Sequence, residues 1–264
     1  MLRSIQYFTP VKVKTVLFTN SGGQDLAINA IKSLLSAKIT QISLACDSMK
    51  TLRLISSQLH STIEYCLWDK CDNATAVNEH FSYGTSGFIN LMKVKIAVCL
   101  SHLRAGSPIF YIDTDVFVLR NYLEYLNQIP AGISICFQPD RVDIAPYQDL
   151  CAGVFFARPT KFAICLLQDI YDSLDYCLNN IDSNKLSKLL PAGDQSILNA
   201  LVRRSKDSYF ADIGTFPAHL FVNGQGIGFL NHQVAPPYLF HNNYIVGSSK
   251  KIDKFKQLNM WFTN

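Results

Sequence analysis

The sequence predicts an α/β fold with a mostly parallel central sheet flanked by helices. Apolar, β-branched segments alternate with segments of helical spacing along most of the chain, and the first of them are joined by short connections. The composition, 48% hydrophobic and 17% charged residues, is that of a globular protein with a sizeable core. We expect a single domain over residues 1–264, since no repeat or linker is evident.

The first predicted unit is a strand, a helix and a second strand. Residues 14–19 (KTVLFT) form a buried run that stops at turn-forming residues 20–23. Residues 26–37 carry apolar side chains at helical spacing, and residues 39–46 (ITQISLAC) return to strand character before Asp47. Short connections favour a parallel pair with a right-handed crossover.

The alternation continues through the middle of the chain. Residues 88–103 predict an amphipathic helix that Gly106 and Pro108 bring to an end. Further elements follow at the same spacing: strands at 108–112, 132–137 and 153–157, and a helix at 161–178.

An acidic pair follows the strand at 108–112. Asp113 and Asp115 flank Thr114 in SPIFYIDTDVFVLRN, and side chains two apart in an extended chain project to the same side. Such carboxylates can hold Mg²⁺ or Mn²⁺, which complete their shell with phosphates and water. The pattern also fits one aspartate capping a turn beside a solvated one. The apolar flanks favour the cation, because two buried carboxylates need a partner.

A second polar cluster lies near the C-terminus, in LFHNNYIVGSSKKIDKFK at residues 239–256. His241 is a potential metal ligand, and Lys251 is a potential counter-charge for phosphate. Together they would complete a metal-diphosphate site. Taken singly, they fit equally well a hydrogen-bonded, half-buried imidazole and a solvated helix face.

Charge and hydropathy bear on partners and location. A net charge of +4 is too small for a nucleic-acid footprint but is compatible with a small anionic substrate. The N-terminus lacks signal-peptide features, and the longest apolar runs are shorter than the roughly 20 residues that span a bilayer. We therefore expect a soluble, cytoplasmic protein. Its basic, aromatic C-terminus fits peripheral membrane contact or a helix packed on its own domain.

Taken in order, these motifs resemble the nucleotide-diphospho-sugar transferases of the GT-A fold, nearest to glycosyltransferase family 77 and more distantly family 8. The resemblance spans roughly residues 14–256. It implies one GT-A (Rossmann-like) domain, with a nucleotide-binding half at about 14–120 and an acceptor and sugar half at about 121–264. The segments that carry it are the helix around Lys95, YIDTDVFVLRN, LCAGVFFARP at 150–159, GDQSILN at 193–199, HLFVNG at 219–224 and HNNYIVGSSKK.

The resemblance also implies roles for individual residues. Asp113, Asp115 and His241 would bind Mn²⁺ (or Mg²⁺). Asp194 would contact the donor sugar and Gln195 would lie near the anomeric carbon, although Asp194 equally fits a cap for the helix that follows. The residues assigned to the nucleotide sugar are Thr19, Asn20, Asp47, Lys95, Asp113, Thr114, Asp115, Gly153, Gly247 and Lys251. The first three of these also fit ordinary turn and cap positions.

The implied function is metal-dependent transfer of a sugar, with retention of α configuration, from a UDP-sugar to a glycan or other hydroxyl acceptor. Cys151 and Ala152 stand where the family has polar residues, which leaves Gly153 and backbone groups for sugar contacts. That departure would suit a non-catalytic nucleotide-sugar or glycan-binding module. DTDVF after a strand also resembles the nucleophile motif of haloacid-dehalogenase phosphohydrolases. That motif lies mid-chain here, however, and no second acid stands four residues after Asp194.

Overall fold

The computed structural model describes residues 12–59, 63–68, 84–144, 149–180, 193–204, 211–231 and 236–262. The strands are β1 Lys14–Thr19, β2 Ile42–Cys46, β3 Glu64–Leu67, β4 Ile109–Ile112, β5 Val116–Val118, β6 Ile135–Pro139, β7 Leu150–Ala157, β8 Ile213–Thr215, β9 Phe221–Asn223 and β10 Leu239–His241. The helices are α1 Gln24–Ser36, α2 Met49–Gln58, α3 Ser86–Arg104, α4 Leu123–Leu126, α5 Lys161–Asn179, α6 Asp194–Arg204 and α7 Ser248–Gln257.

Within the described ranges, seven strands form the large sheet, in the order β3-β2-β1-β4-β7-β6-β8. All neighbours pair in parallel except β7, which is antiparallel to both β4 and β6. One buried cluster joins one face of this sheet to α1 and α2, and a second joins the opposite face to α3, α5 and α6. The predicted mostly parallel sheet with flanking helices is confirmed.

The observed boundary of β2 differs from the predicted one because the first residue predicted as strand belongs to the cap at the end of a helix. Residues 14–19 form β1 as predicted, but β2 begins at Ile42 and not at residue 39. Helix α1 closes with Lys38 in the left-handed region, φ 61°, and the amide of Ile39 donates back to the Leu34 carbonyl. Such a C-cap satisfies helix carbonyls and keeps residues 37–39 out of the strand. Gly106, φ 80°, ends α3 as predicted.

A small second sheet, β5-β10-β9, was not predicted from the sequence. β10 pairs antiparallel with β5, in a register that sets His241 opposite Val116. β10 also pairs in parallel with β9. The pairing carries the last strand of the chain to the residue that directly follows the acidic pair.

The C-terminal segment packs on the first helix of the chain. Asn29 of α1 donates to the carbonyl of Met260 at 3.0 Å and accepts from the amide of Phe262 at 2.9 Å. Phe255 is fully buried and Trp261 packs partly buried in the same cluster. The predicted packing of this segment on its own chain is observed, and membrane contact finds no support in it. No helix in the described ranges is both long and apolar enough to traverse a bilayer.

Candidate active site

The two aspartates converge by a different route from the predicted one. The extended strand stops at Ile112, and Asp113 to Asp115 form a turn that joins β4 of the large sheet to β5 of the small one. The amide of Asp113 donates to the Gly153 carbonyl at 2.8 Å, and the carbonyl of Asp115 accepts from the Asn242 amide at 2.9 Å. Backbone contacts from two sheets therefore hold the turn that presents both carboxylates.

Asp115 lies buried between two groups from the end of the chain. Its Oδ1 is 3.3 Å from His241 Nε2, and its Oδ2 accepts from Lys251 Nζ at 2.5 Å. Burial alone would raise the pKa of Asp115, but Lys251 and His241 outweigh it and hold that pKa well below its usual range. Burial likewise disfavours a charged imidazole, yet the Asp115 carboxylate raises the pKa of His241 to about 10.

Asp113, Asp115 and His241 each offer one ligand atom, and these atoms lie within 4.8 Å of one another. Two carboxylates and an imidazole suit Mn²⁺ or Mg²⁺, with Mn²⁺ slightly favoured by the nitrogen ligand. Lys251 and the His241 ring lie against Asp115 and supply the positive charge that a buried carboxylate requires. The donor set therefore fits the predicted divalent cation.

Gly153 leaves the space in which these ligands approach each other. A Cβ atom at this position would lie 2.5 Å from Asp113 Oδ2 and 2.5 Å from His241 Cε1. Real Cβ atoms essentially never make contacts this short. Residue 153 must therefore lack a side chain if both ligands are to keep their positions.

A buried lysine connects one predicted metal ligand, Asp113, to the predicted sugar-binding residue, Asp194. Lys95 Nζ lies 2.8 Å from Asp194 Oδ2 and 3.3 Å from Asp113 Oδ1, over the ring of Tyr111. Tyr111 itself donates to Asp113 Oδ1 at 2.8 Å. Burial would lower the pKa of Lys95, but the two carboxylates outweigh it and raise that pKa above its ordinary value. Lys95 is thus a fixed cation between two acids.

The start of α6 holds the residues predicted to face the sugar. Asp194 is the first residue of the helix and not the residue before it, since the Ile197 amide donates to the Gly193 carbonyl. Its Oδ1 accepts from the Gln195 amide at 2.9 Å and so satisfies one of the amides at the helix start. Gln195 Oε1 accepts from the Ala152 amide at 3.4 Å. Cys151 points into the protein, with its sulfur 3.7 Å from His241 Nδ1.

A cavity of about 240 Å³ opens at this edge of the large sheet, beyond the carboxyl ends of β1 and β4. It brings together seven of the predicted site residues: Thr19, Asn20, Asp113, Thr114, Asp115, Gly247 and Lys251. Gly247 adopts φ +95°, a conformation that favours glycine, directly before α7.

The remaining predicted residues lie outside the lining of this cavity. Lys95, Gly153, Asp194, Gln195 and His241 form the adjoining cluster described above. Asp47 follows β2 at the same sheet edge, where its amide donates to the Thr19 carbonyl and its carboxylate accepts from Thr51 in α2. The cap of α2 is Ser48, whose side chain accepts from the Thr51 amide, so Asp47 does not take the cap role weighed for it in the sequence.

Sequence reasoning missed several residues that line the cavity, namely Phe18, Gly23, Leu26, Leu91, Met92, Tyr111 and Ser248. Tyr111 could have been found, since it precedes Asp113 by two positions along the strand and period-two alternation favours the same side. The others carry no chemical signature by which a sequence distinguishes a pocket wall from core.

A model of the family described as nucleotide-diphospho-sugar transferase matches residues 42–255. The UDP-galactose:fucoside alpha-3-galactosyltransferase of Dictyostelium discoideum is 25% identical over 282 residues, covering 95% of this chain and 43% of that protein. The UDP-D-xylose:L-fucose alpha-1,3-D-xylosyltransferase MGP4 of Arabidopsis thaliana is 25% identical over 201 residues, covering 69% of this chain and 52% of that protein. The chain thus spans about half the length of these curated relatives.

Solved structures share the fold. The galactosyltransferase LgtC, in complex with donor and acceptor sugar analogs, superposes with a TM-score of 0.59 at 14% identity, covering 96% of this chain and 97% of that one. The apo form of mouse xyloside xylosyltransferase 1 gives 0.52 at 12% identity, covering 88% and 97%. These likenesses show the GT-A fold. Because the family model covers most of the chain, including the acidic pair, Asp194-Gln195 and His241, the chain belongs to the nucleotide-diphospho-sugar transferase family.

Proposed function

We propose that this protein is a metal-dependent glycosyltransferase that moves a sugar from a UDP-sugar to a hydroxyl of a glycan or glycoconjugate, with retention of α configuration. One observation carries the proposal. Asp113 and Asp115 meet His241, from a distant part of the chain, with their ligand atoms within 4.8 Å of one another, and the two aspartates line a cavity together with Lys251. Charged groups that converge beside a cavity in this way are typical of a site that binds a charged ligand.

The cavity supports a nucleoside diphosphate as the donor's leaving group. Its lining includes apolar side chains, Phe18, Leu91 and Met92, and a polar set that contains the acidic turn and Lys251. All the lining residues except Gly247, Ser248 and Lys251 fall within the predicted nucleotide-binding half at about 14–120. We infer that the apolar part receives the base and that Gly247 and Lys251 receive the phosphates.

The charge near the acidic turn matches what glycosyl transfer requires. When bound, the divalent cation would stabilise the negative charge that develops on the departing diphosphate. Lys251 adds a second positive charge from α7, and it can exchange its Asp115 contact for a phosphate oxygen. Asp113 and Asp115 carry the negative charge of the site and pair with Lys95 and Lys251, respectively.

Retention is proposed from the resemblance to glycosyltransferase family 77, and the groups around the start of α6 bear on how it would be achieved. Asp194 is engaged by Lys95 and by the Gln195 amide, which leaves its carboxylate poorly placed to act as a nucleophile. Gln195, the other candidate, carries a weakly nucleophilic amide. We therefore propose that the acceptor hydroxyl attacks from the face that the diphosphate leaves and that the departing phosphate takes its proton.

Calorimetric titration with a panel of UDP- and GDP-sugars, with and without Mn²⁺, tests the donor site. We expect one UDP-sugar to bind only with Mn²⁺, and Asp115→Asn, which keeps the side-chain shape, to abolish that binding. Asp143→Asn is the matched control, because Asp143 is an exposed aspartate paired with Arg141. No binding under any condition, or binding that Asp115→Asn leaves intact, refutes the proposal.

The relatives' names suggest where to look for the reaction itself. The proteins of Dictyostelium and Arabidopsis are named for transfer from UDP-galactose or UDP-D-xylose to a fucoside or L-fucose. We propose L-fucosides as the first acceptors to test with these two donors. NMR of the product decides the stereochemistry, and a β-linked product contradicts retention.

A further inference from the structure

Gln138 is a fully buried amide in a strand of apolar residues. It follows Ile135, Cys136 and Phe137 in β6, and none of its surface is exposed. A buried amide without hydrogen bonds is costly, so its partners show what the position is for.

The side chain of Gln138 lies between the two sheets, and both ends of its amide are occupied. Its Nε2 donates to the Phe221 carbonyl in β9 at 3.0 Å, and its Oε1 lies 2.8 Å from His241 Nδ1 in β10. The opposite amide orientation would set two acceptor oxygens against each other at Phe221, so the oxygen faces the imidazole. Nδ1 must therefore carry the hydrogen in this contact.

The backbone explains why Gln138 faces the small sheet. Cys136 and Gln138 share a face of β6 by period-two alternation, and Cys136 packs in the same cluster as Phe221. Phe137 pairs with Phe155 of β7, but the next residue, Gln138, pairs with Cys151 and not with Val154 as in a regular antiparallel ladder. The bulge of residues 152–154 contains Gly153, which leaves room for His241.

The other side of the His241 ring faces the metal ligands. Nε2 lies 3.3 Å from Asp115 Oδ1, so a hydrogen bond that fixes Nδ1 also aims Nε2 at the acidic turn. Cys151 Sγ is 3.7 Å from Nδ1, a long and weak contact beside the 2.8 Å one from Gln138.

We propose that Gln138 is a positioning residue of the metal site, which holds His241 with hydrogen on Nδ1 and with Nε2 free to bind the cation. The inference rests on the metal dependence of the proposed function. Metal-bound histidines commonly donate their other ring N–H to a fixed acceptor, and loss of that acceptor typically costs about 10–100-fold in metal affinity. Gln138 supplies this acceptor from the large sheet.

Two variants separate positioning from packing. Gln138→Leu removes the acceptor for Nδ1. Gln138→Glu keeps an acceptor oxygen toward Nδ1 but loses the donor to the Phe221 carbonyl, so it should lower stability while keeping the positioning contact. With UDP present, we expect the Kd for Mn²⁺ to rise about 10–100-fold in Gln138→Leu and to stay near the wild-type value in Gln138→Glu. In metal-free protein labelled with ¹⁵N-histidine, a slowly exchanging Nδ1 proton of His241 is expected in the wild type and in Gln138→Glu but not in Gln138→Leu.

Thr15→Val is the control for general loss of a buried hydrogen bond. Thr15 is buried at the end of β1 that lies away from the cavity, with its hydroxyl 2.6 Å from that of Tyr122. Loss of this hydrogen bond should lower stability without changing Mn²⁺ affinity. If the wild type binds Mn²⁺ and Gln138→Leu binds it equally well, the positioning role is overturned but the metal-dependent function is not. The same conclusion follows if Thr15→Val weakens Mn²⁺ binding as much as Gln138→Leu does. Absence of Mn²⁺ binding to the wild type overturns the metal-dependent function and this inference with it.

Discussion

Substituting alanine for Gly153 tests the metal site with a single methyl group. The added carbon would meet Asp113 Oδ2 and His241 Cε1, each at 2.5 Å. Neither atom is the far end of a long, flexible side chain. The backbone of Asp113 is held by its hydrogen bond to the Gly153 carbonyl, and His241 is held by its position in β10. The substitution therefore has to displace a metal ligand, the bulge at 152–154, or both.

The size of the displacement follows from the contact distances. Ordinary van der Waals contact for a Cβ begins at 3.4 Å, so each contact is about 0.9 Å too short. Misplacement of about 1 Å at a reacting centre can cost on the order of 100-fold in rate. Two of the three ligands are affected, so we expect Mn²⁺ affinity and transfer rate each to fall by about 100-fold or more.

The assay is calorimetric Mn²⁺ binding in the presence of UDP, beside thermal unfolding of the same samples. Gly132→Ala is the matched control, because a Cβ at this position would have no atom within 4 Å apart from those of residues 131–133. It should bind Mn²⁺ like the wild type. Wild-type Mn²⁺ affinity in a folded Gly153→Ala variant would refute the argument that this glycine exists to admit the ligands.

Two further predictions concern buried polar groups. Lys95→Met leaves the Asp113 and Asp194 carboxylates without their shared cation and should lower the free energy of unfolding by about 3 kcal/mol. Urea denaturation measures this change. A loss below about 1 kcal/mol would contradict the role of Lys95 as the cation shared by the two carboxylates. Asn29→Ala removes the two hydrogen bonds by which α1 holds residues 260–262. The amides of residues 260–262 should then exchange faster with solvent, and UDP should bind more weakly because α7, which carries Lys251, leads into these residues. Unchanged exchange at Phe262 would show that the apolar contacts hold the segment alone.

Some elements were predictable because local pattern and tertiary environment agree. β1 matches its predicted bounds because a run of β-branched and apolar residues stops at a turn cluster, and that run is buried on both faces of a parallel sheet. Gly106 ends α3 as predicted because the left-handed C-cap there favours a residue without Cβ. Where a non-glycine residue such as Lys38 adopts that conformation, the sequence gives little warning.

Three segments were recognisable as candidates because each combines chemically distinct residues at short spacing: the acidic pair at 113–115, GDQSILN at 193–199 and HNNYIVGSSKK at 241–251. Their roles in the donor site remain predictions. Gln138 carried no such signal, since one glutamine in an apolar strand does not reveal its partner in a strand about a hundred residues away.

The sequence by itself determined the alternation of strands and helices, the chemistry of the potential ligands and the family, because these depend on residue type and near-neighbour spacing. Only the tertiary structure decided that Asp113 and Asp115 meet through a turn, that His241 pairs beside them, and that Lys95 joins Asp113 to Asp194. The small sheet and the bulge in β7 are products of long-range strand pairing. Long-range pairing depends on how whole surfaces pack together, and local spacing does not encode it.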